Sequence, residues 1–109
     1  MMAKYLWNFT YTVDGTKGFI KEGASGRKAA VEALLASVGG KLEAYYFAFG
    51  ESDAVVIADL PANADAAAIS LAIAASGAGL VKTTVLMTIE EADAAATKAR
   101  SVAYRRPGE

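Results

Sequence analysis

The chain contains no cysteine and no histidine among its 109 residues. Without cysteine it has no disulfide, no thiol nucleophile and no zinc ribbon. Without histidine it has no imidazole base, no histidine-based catalytic triad and no His-ligated haem or zinc. A transition-metal site would need oxygen ligands alone, and the spacing of the carboxylates indicates none. We therefore expect neither a metal nor a cofactor.

An excess of charge of one sign is also lacking, since 11 basic residues balance 12 acidic ones and leave a net charge of -1. Such a balance argues against binding to nucleic acid through its phosphates. The longest weakly polar stretch, residues 66–81, is interrupted by serines and glycines and is too short to span a bilayer. Residues 1–8 become polar too early for a secretory signal. We expect a cytoplasmic protein that binds neither nucleic acid nor membrane.

The chain does contain enough apolar material for one core. Hydrophobic residues make up 54% of it and charged residues 21%, and the mean hydropathy is +0.27. These values exclude a disordered, highly charged chain, and the length allows a single core. We predict one domain over residues 1–104 and a flexible tail over residues 105–109.

Four segments have the pattern of β-strands. In the first, the aromatic residues Tyr5, Trp7, Phe9 and Tyr11 recur at every second position, which is the period of a strand. The second segment is also rich in aromatics, and the polar residues 50–53 suit a hairpin between it and the third. The predicted strands cover residues 4–12, 42–49, 54–60 and 80–87.

Three further segments have the pattern of helices. Each begins at a residue whose side-chain oxygen can accept from the free N–H groups of a first helical turn. One short helical turn, over residues 16–21, precedes the first of them. The predicted helices run from near Ser25 to Gly39-Gly40, from an N-cap at Asn63 to about residue 76, and from the capping box of Thr88 and Glu91 over residues 89–102.

The element order β-α-β-β-α-β, with an extra α at the end, fits an α+β domain of ferredoxin-like type. Such a domain has one four-stranded antiparallel sheet with helices on one face, and here a third, C-terminal helix follows. The strands are apolar on both faces, as Val55, Val56 and Ile57 show, yet the helices cover only one. We therefore expect a homodimer or a higher homo-oligomer in which a second copy covers the other face.

Several segments match a known pattern in order and spacing. They are Lys4-Tyr5-Leu6-Trp7, Gly39-Gly40-Lys41-Leu42, Gly50-x-x-Asp53, Val55-Val56-Ile57 and Val81-Lys82-Thr83-Thr84. On these residues nearly the whole chain resembles the bacterial GYD-domain family, although Ser52 stands where the tyrosine of the motif would be. The resemblance implies a dimeric α/β-barrel type of ferredoxin-like protein. That group includes cofactor-independent monooxygenases, small-lactone isomerases and plain binding proteins. The family supplies no catalytic residues.

Eight of the ten aromatic residues lie on the first two predicted strands. Packing in the core and in a dimer explains most of such a concentration, but an apolar pocket with a few polar groups is also the usual form of a small-molecule site. Strand alternation prevents neighbours such as Trp7 and Asn8 from facing one cavity. Exposure at a strand end, or an ion pair between Glu43 and Lys82, is the favoured explanation of the polar members. The candidate ligand-binding residues are Trp7, Phe9 and Tyr46 as apolar wall, with Asn8, Glu43 and Lys82 as polar contacts.

The segment Ser25-Gly26-Arg27-Lys28 places two cations at a predicted helix start. Such a setting can bind a phosphate or a carboxylate, but the order of a nucleotide-binding loop is missing. We interpret the segment as a capped helix with solvated charges. Asp53, which follows Gly50, is expected to stabilise the hairpin through the backbone.

Two classes of function remain open. The chain is either a homo-oligomeric ligand-binding or interaction module, or a cofactor-independent monooxygenase or isomerase for a small aromatic or carbonyl compound. The absence of histidine favours the module, because an enzyme would need a shifted Glu43, tyrosine or Lys82 as its proton carrier.

Overall fold

The computed structural model describes residues 2–109, so Met1, the first residue of the predicted domain, lies outside the described residues. Four strands form one sheet in the order β2-β3-β1-β4, and every neighbouring pair is antiparallel. The predicted ferredoxin-like α+β fold with its extra C-terminal helix is confirmed. The elements are β1 Ala3–Tyr11, α1 Val13–Ala36, β2 Lys41–Phe47, β3 Ala54–Leu60, α2 Asn63–Ser76, β4 Gly79–Leu86 and α3 Ile89–Ala99.

The core lies between the sheet and the helices α1 and α2. Alternate residues of the two central strands point into it, because successive side chains of a strand point to opposite faces. Leu35 of α1 and Ile69 of α2 meet these strand residues, and each is at most 3% exposed. The buried cluster comprises Tyr5, Trp7, Leu35, Val56, Ala58, Leu60, Ala66 and Ile69.

Helix α1 begins twelve residues before the predicted start at Ser25. Thr12 is its N-cap, and the Thr12 hydroxyl oxygen accepts a hydrogen bond from the amide of Gly15 at 3.1 Å. Gly23, with φ 82° and ψ 170°, is not helical and kinks α1 between two helical segments, residues 13–22 and 24–36. The predicted turn over residues 16–21 therefore lies within a longer first helical segment, residues 13–22, and the predicted helix start near Ser25 lies close to the start of the second segment, which follows the kink at Gly23.

Helix α2 has Ala62 as its N-cap and not Asn63, which is the first helical residue. The side-chain oxygen of Asn63 accepts a hydrogen bond from the Tyr5 hydroxyl instead. Tyr5 is 1% exposed, and a buried phenol needs a polar partner. The helix ends at Gly77, whose φ of 77° is in the left-handed region that favours glycine.

Helix α3 extends away from the core. The predicted capping box is present: the Thr88 amide donates to Glu91 Oε1 at 2.9 Å, and the Glu91 amide donates to Thr88 Oγ1 at 3.1 Å. The helix ends at Ala99, three residues before its predicted end at residue 102. All of residues 87–109 are exposed. The radius of gyration is 17.1 Å, whereas a compact chain of this length has about 13 Å. None of the helices within residues 2–109 has the length and apolarity that crossing a membrane requires.

The sheet face away from α1 and α2, here called the open face, carries the other set of alternating residues. Leu6 lies between Ile57 of β3 and Thr84 of β4 in the register of this face. At the sheet edges Leu80 is 66% exposed and Tyr46 is 71% exposed. A register shift between Leu42 and Ala44 bulges β2 at Glu43. The open face is thus a mixed apolar and charged surface without a helical layer of its own.

Candidate functional site

Five aromatic rings form a continuous chain on the helix side of the sheet. Ring centroids are separated by 4.7 Å between Phe9 and Tyr11 and by 5.6 Å between Tyr11 and Phe19. The chain continues at 4.9 Å to Phe47 and at 5.0 Å from Phe47 to Tyr45. These separations are those of favourable aromatic pairs. The rings therefore form one wall that joins β1, α1 and β2.

Beside this wall lies a small inner cavity between the sheet and the helices, about 60 Å³ in volume. Most of its lining is aliphatic, including Val31 of α1 and Ile73 of α2. Four side chains with polar atoms also line it, namely Trp7, Tyr11, Arg27 and Tyr45. A space of this size holds a few water molecules or one small polar group.

An outer groove of about 560 Å³ shares Phe9, Tyr11 and Arg27 with the inner cavity. Its other side is the first segment of α1, where Gly15 and Gly18 have no side chains to occupy the space. The groove and the inner cavity thus meet at the same three residues. Together they form a cleft with a narrow apolar interior and a wider mouth.

Two residues that line the inner cavity each carry a buried side-chain nitrogen without a hydrogen-bond partner. These atoms are Nε1 of Trp7 and Nε of Arg27, and they are the two such side-chain atoms within residues 2–109. Trp7 is only 5% exposed, so its indole N–H is shielded from bulk solvent. Each unmet donor costs about 1–3 kcal/mol when it is buried. An interior that leaves two N–H groups unpaired is suited to receive an acceptor.

The charge state of the cleft follows from Arg27 and its neighbours. Arg27 Nη1 lies 3.1 Å from Glu22 Oε1, on a side where both side chains remain partly exposed. Burial is the largest single influence and lowers the pKa of Arg27, but the hydrogen bond to Glu22 and the electrostatic effects of Glu22, Tyr11 and Tyr45 together outweigh it, so the pKa is raised overall. Arg27 therefore remains a cation, and its Nε remains a donor.

Tyr45 remains a neutral phenol in the same environment. Burial raises the pKa of Tyr45 well above its ordinary value, and Tyr11 raises it further, while Arg27 acts in the opposite direction. The phenol therefore keeps its proton at neutral pH. The inner cavity offers the donors of Trp7 and Arg27 and two tyrosine hydroxyls, and its lining contains no carboxylate within the described part of the chain.

The structure places the six candidate residues on two different sides of the sheet. Trp7 and Phe9 line the inner cavity. The other four lie away from it, on the side of the open face. There Lys82 lies opposite Asn8 in the register of β1 and β4, and Tyr46 lies opposite Val55. The structure thus brings together two of the apolar candidates and none of the polar ones in the cleft.

Two of the three polar candidates on the open face, Asn8 and Glu43, have partners of their own. Asn8 Oδ1 accepts from the Ser52 hydroxyl at 3.2 Å. Glu43 pairs with Lys4 at 2.8 Å, so the ion pair suggested for Glu43 and Lys82 is replaced by one with Lys4. Lys4 also contacts Asp59 at 2.9 Å. The hydrogen bonds to Asp59 and Glu43 raise the pKa of Lys4.

Arg27, Tyr11 and Tyr45 are the cleft residues that the sequence analysis did not select. Arg27 was interpreted as a solvated charge, and this interpretation holds only in part: the side chain is 31% exposed, but its Nε is buried. A signal was present: Arg27 precedes Val31 and Leu34 by four and seven residues, which places it on the apolar stripe of α1. A cation inside such a stripe indicates a buried role.

Asp53 holds the end of β1 against the β2–β3 hairpin, beside the cleft. Its carboxylate Oδ2 accepts from the Tyr11 amide at 2.8 Å, and its amide donates to the Phe9 carbonyl at 2.8 Å. The Asp53 carbonyl also accepts from the Ala48 amide at 2.9 Å, which closes the hairpin. The carboxylate thus positions Tyr11 and has a structural role, as expected, although its partner is β1 and not the hairpin itself.

Comparison with known protein families gives one match. The sequence model of the GYD domain matches residues 5–96, which include nearly all of the sheet, both packed helices and most of α3. The curated proteins and the solved structures gave no significant match to the chain.

Proposed function

We propose that this chain, which belongs to the GYD domain family, is a homo-oligomeric module that binds a small organic molecule between its sheet and its helices. The function of the family is unknown, so the support for the proposal comes from the structure of the cleft and not from the family. The observation that carries it is the pair of unpartnered N–H donors, on Trp7 and Arg27, that line one cavity. A ligand that accepts from them would remove the cost of leaving them unpaired.

Binding is better supported than catalysis. Arg27 keeps its proton, and burial holds the phenol of Tyr45 in its protonated form. A general base within hydrogen-bond reach of a substrate is what a proton-transferring oxygenase or isomerase would need. The lining of the inner cavity, as described by the structure, includes neither a carboxylate nor a lysine, whereas Asp14, Lys21 and Glu22 line only the outer groove. We therefore favour the module over the enzyme.

The open face and α3 support the homo-oligomer. Leu6 and Ile57 lie at the centre of the open face, where a second sheet would cover them. Helix α3 has no buried residue of its own, and Ile89 at its start is 77% exposed. A second copy packed sheet to sheet, in the manner of a dimeric α/β barrel, would bury the open face and give α3 a surface to contact.

Ligand binding is tested with a panel of phenols, carbonyl compounds and aromatic carboxylates. Trp7 is the only tryptophan, so its emission reports on the inner cavity directly. We expect saturable quenching and a higher melting temperature with at least one class of compound. Ala54→Val adds volume at the cavity lining and should abolish both effects. Ala44→Val, on β2 opposite Ile57 of the open face, is the matched control and should bind normally. No quenching with any class would refute the proposal.

The homo-oligomer is tested by light scattering on the full chain. We expect a mass of twice that of one chain or more at micromolar concentration. Ile57→Lys places a charge at the centre of the open face and should yield monomers. Ile20→Lys makes the same change on an exposed position of α1 and should leave the mass unchanged. A monomeric wild-type protein would contradict this part of the proposal.

A further inference from the structure

We propose that the ligand carries a carboxylate, which enters the inner cavity and accepts hydrogen bonds from Trp7 Nε1 and Arg27 Nε. This inference rests on the proposed function and specifies the chemical class of its ligand. It concerns the same cleft between the sheet and the helices.

The two unpartnered groups are both donors, and one of them belongs to a permanent cation. A neutral carbonyl has one oxygen to offer, whereas a carboxylate has two oxygens and a negative charge. Hydrogen bonds between ionised partners are also the stronger kind. The side chains of Tyr11 and Tyr45 line the same cavity. This set of groups matches a carboxylate better than an amide, an alcohol or an amine.

The two volumes indicate how such a ligand would lie. The inner cavity, about 60 Å³, has room for a carboxylate but not for an aromatic ring. The outer groove, about 560 Å³, has room for a ring, and Phe9, Tyr11 and Phe19 supply flat apolar walls. The carboxylate end would therefore point inward and the body of the ligand outward. A planar aromatic body suits the groove.

Glu22 contacts the guanidinium without blocking this site. Its carboxylate binds Nη1 of Arg27 and is 42% exposed, whereas Nε is buried and unpaired. A guanidinium has five N–H donors and can serve two carboxylates from different directions. Glu22 reduces the net charge of the site and should weaken the attraction, but it leaves the inner donor free.

The test is a titration with benzoate and with benzamide, which have the same ring and differ in the charge of the head group. Binding is followed by Trp7 emission and by calorimetry. We expect benzoate to bind at least about tenfold more tightly than benzamide, the change that loss of one charge-assisted hydrogen bond produces. Arg27→Gln should remove this preference. Lys28→Gln removes an exposed neighbouring charge and should keep it.

The outcomes separate this inference from the proposed function. Equal binding of benzoate and benzamide, with Arg27→Gln unchanged, would overturn the carboxylate inference while the ligand-binding module stands. Binding of neither compound, nor of any member of the wider panel, would overturn both. If Arg27→Gln does not fold, the comparison of the two probes on the wild-type protein still decides the question. Ordered water in place of a ligand predicts no preference and so counts against the inference.

Discussion

Gly15 and Gly18 of α1 provide a matched pair for testing how closely this helix approaches the turn before β4. Both glycines have ordinary helical backbones. A Cβ atom at Gly15 would lie 1.9 Å from the carbonyl oxygen of Ala78, which is backbone and cannot rotate aside. A Cβ atom at Gly18 would meet nothing within 4 Å. Replacing each glycine with alanine therefore makes one change in two different environments.

The two variants should change stability in opposite directions. Alanine in place of glycine inside a helix stabilises by roughly 0.5–1 kcal/mol, which is what we expect for Gly18→Ala. At Gly15 the clash requires α1 to move away from Ala78 by more than 1 Å. That movement strains the hydrogen bond of the Thr12 amide to the Ala78 carbonyl, 3.1 Å long, and that of the Thr12 hydroxyl to the Gly77 carbonyl, 2.7 Å long. Overpacking costs about 1–3 kcal/mol, and each lost hydrogen bond about 1 kcal/mol more. We expect Gly15→Ala to lose about 2 kcal/mol overall.

The assay is urea denaturation of the wild type and both variants, at one fixed protein concentration because oligomers gain stability with concentration. A difference of about 2–3 kcal/mol between the two variants follows from the estimates above. In a domain of this size it corresponds to roughly 10 °C or more in melting temperature. Equal stability of Gly15→Ala and Gly18→Ala would show that α1 does not approach Ala78 as described.

Three further changes follow from individual contacts. Tyr5→Phe removes the hydroxyl that donates to Asn63 and should lower the free energy of unfolding by about 1 kcal/mol. The cost stays this small because the exposed oxygen of Asn63 can bind water instead. An unchanged free energy of unfolding in urea denaturation would argue against that contact. The pKa of Lys4 is raised in the folded state, so its contribution to stability should be complete below its ordinary pKa of 10.5 and disappear as the pH rises through the folded value. Lys4→Met should therefore flatten the fall in stability at alkaline pH, and identical pH profiles would contradict this. Glu22→Gln removes the carboxylate that competes for Arg27, so it should tighten the binding of benzoate but not of benzamide, as measured by calorimetry. Unchanged binding of benzoate would show that Glu22 does not weaken the site.

The strands were predictable because their signal is local. Alternation at Tyr5, Trp7 and Phe9 specifies which side chains share a face, whatever the rest of the chain does. The start of α1 was harder, because Thr12 caps the helix in a segment where glycines weaken the helical pattern. The bond between Asn63 and Tyr5 joins residues 58 positions apart, so the expected cap could not be excluded from the neighbouring sequence.

The cleft was only partly predictable for a related reason. Sequence alternation separates Trp7 from Asn8, but it does not say which face the helices cover. The helices cover the face of Trp7, so Asn8, Glu43 and Lys82 lie on the other side. The Nε of Arg27 is buried beside Tyr11 and Tyr45, which lie on strands distant in the sequence, and such an enclosure has no local pattern. Only the position of Arg27 on the apolar stripe of α1 indicated that this residue lines the cleft.

The indole proton of Trp7 offers the most direct test of the binding cleft. A ¹H–¹⁵N correlation spectrum of the full chain contains a single indole resonance, because there is one tryptophan. An acceptor that reaches the unpartnered Nε1 should move this resonance downfield as the new hydrogen bond forms. We expect a saturable downfield shift with benzoate, and no shift in Ala54→Val. An indole resonance that stays in place while the ligand panel is added to saturation would show that the cavity between sheet and helices is not a binding site.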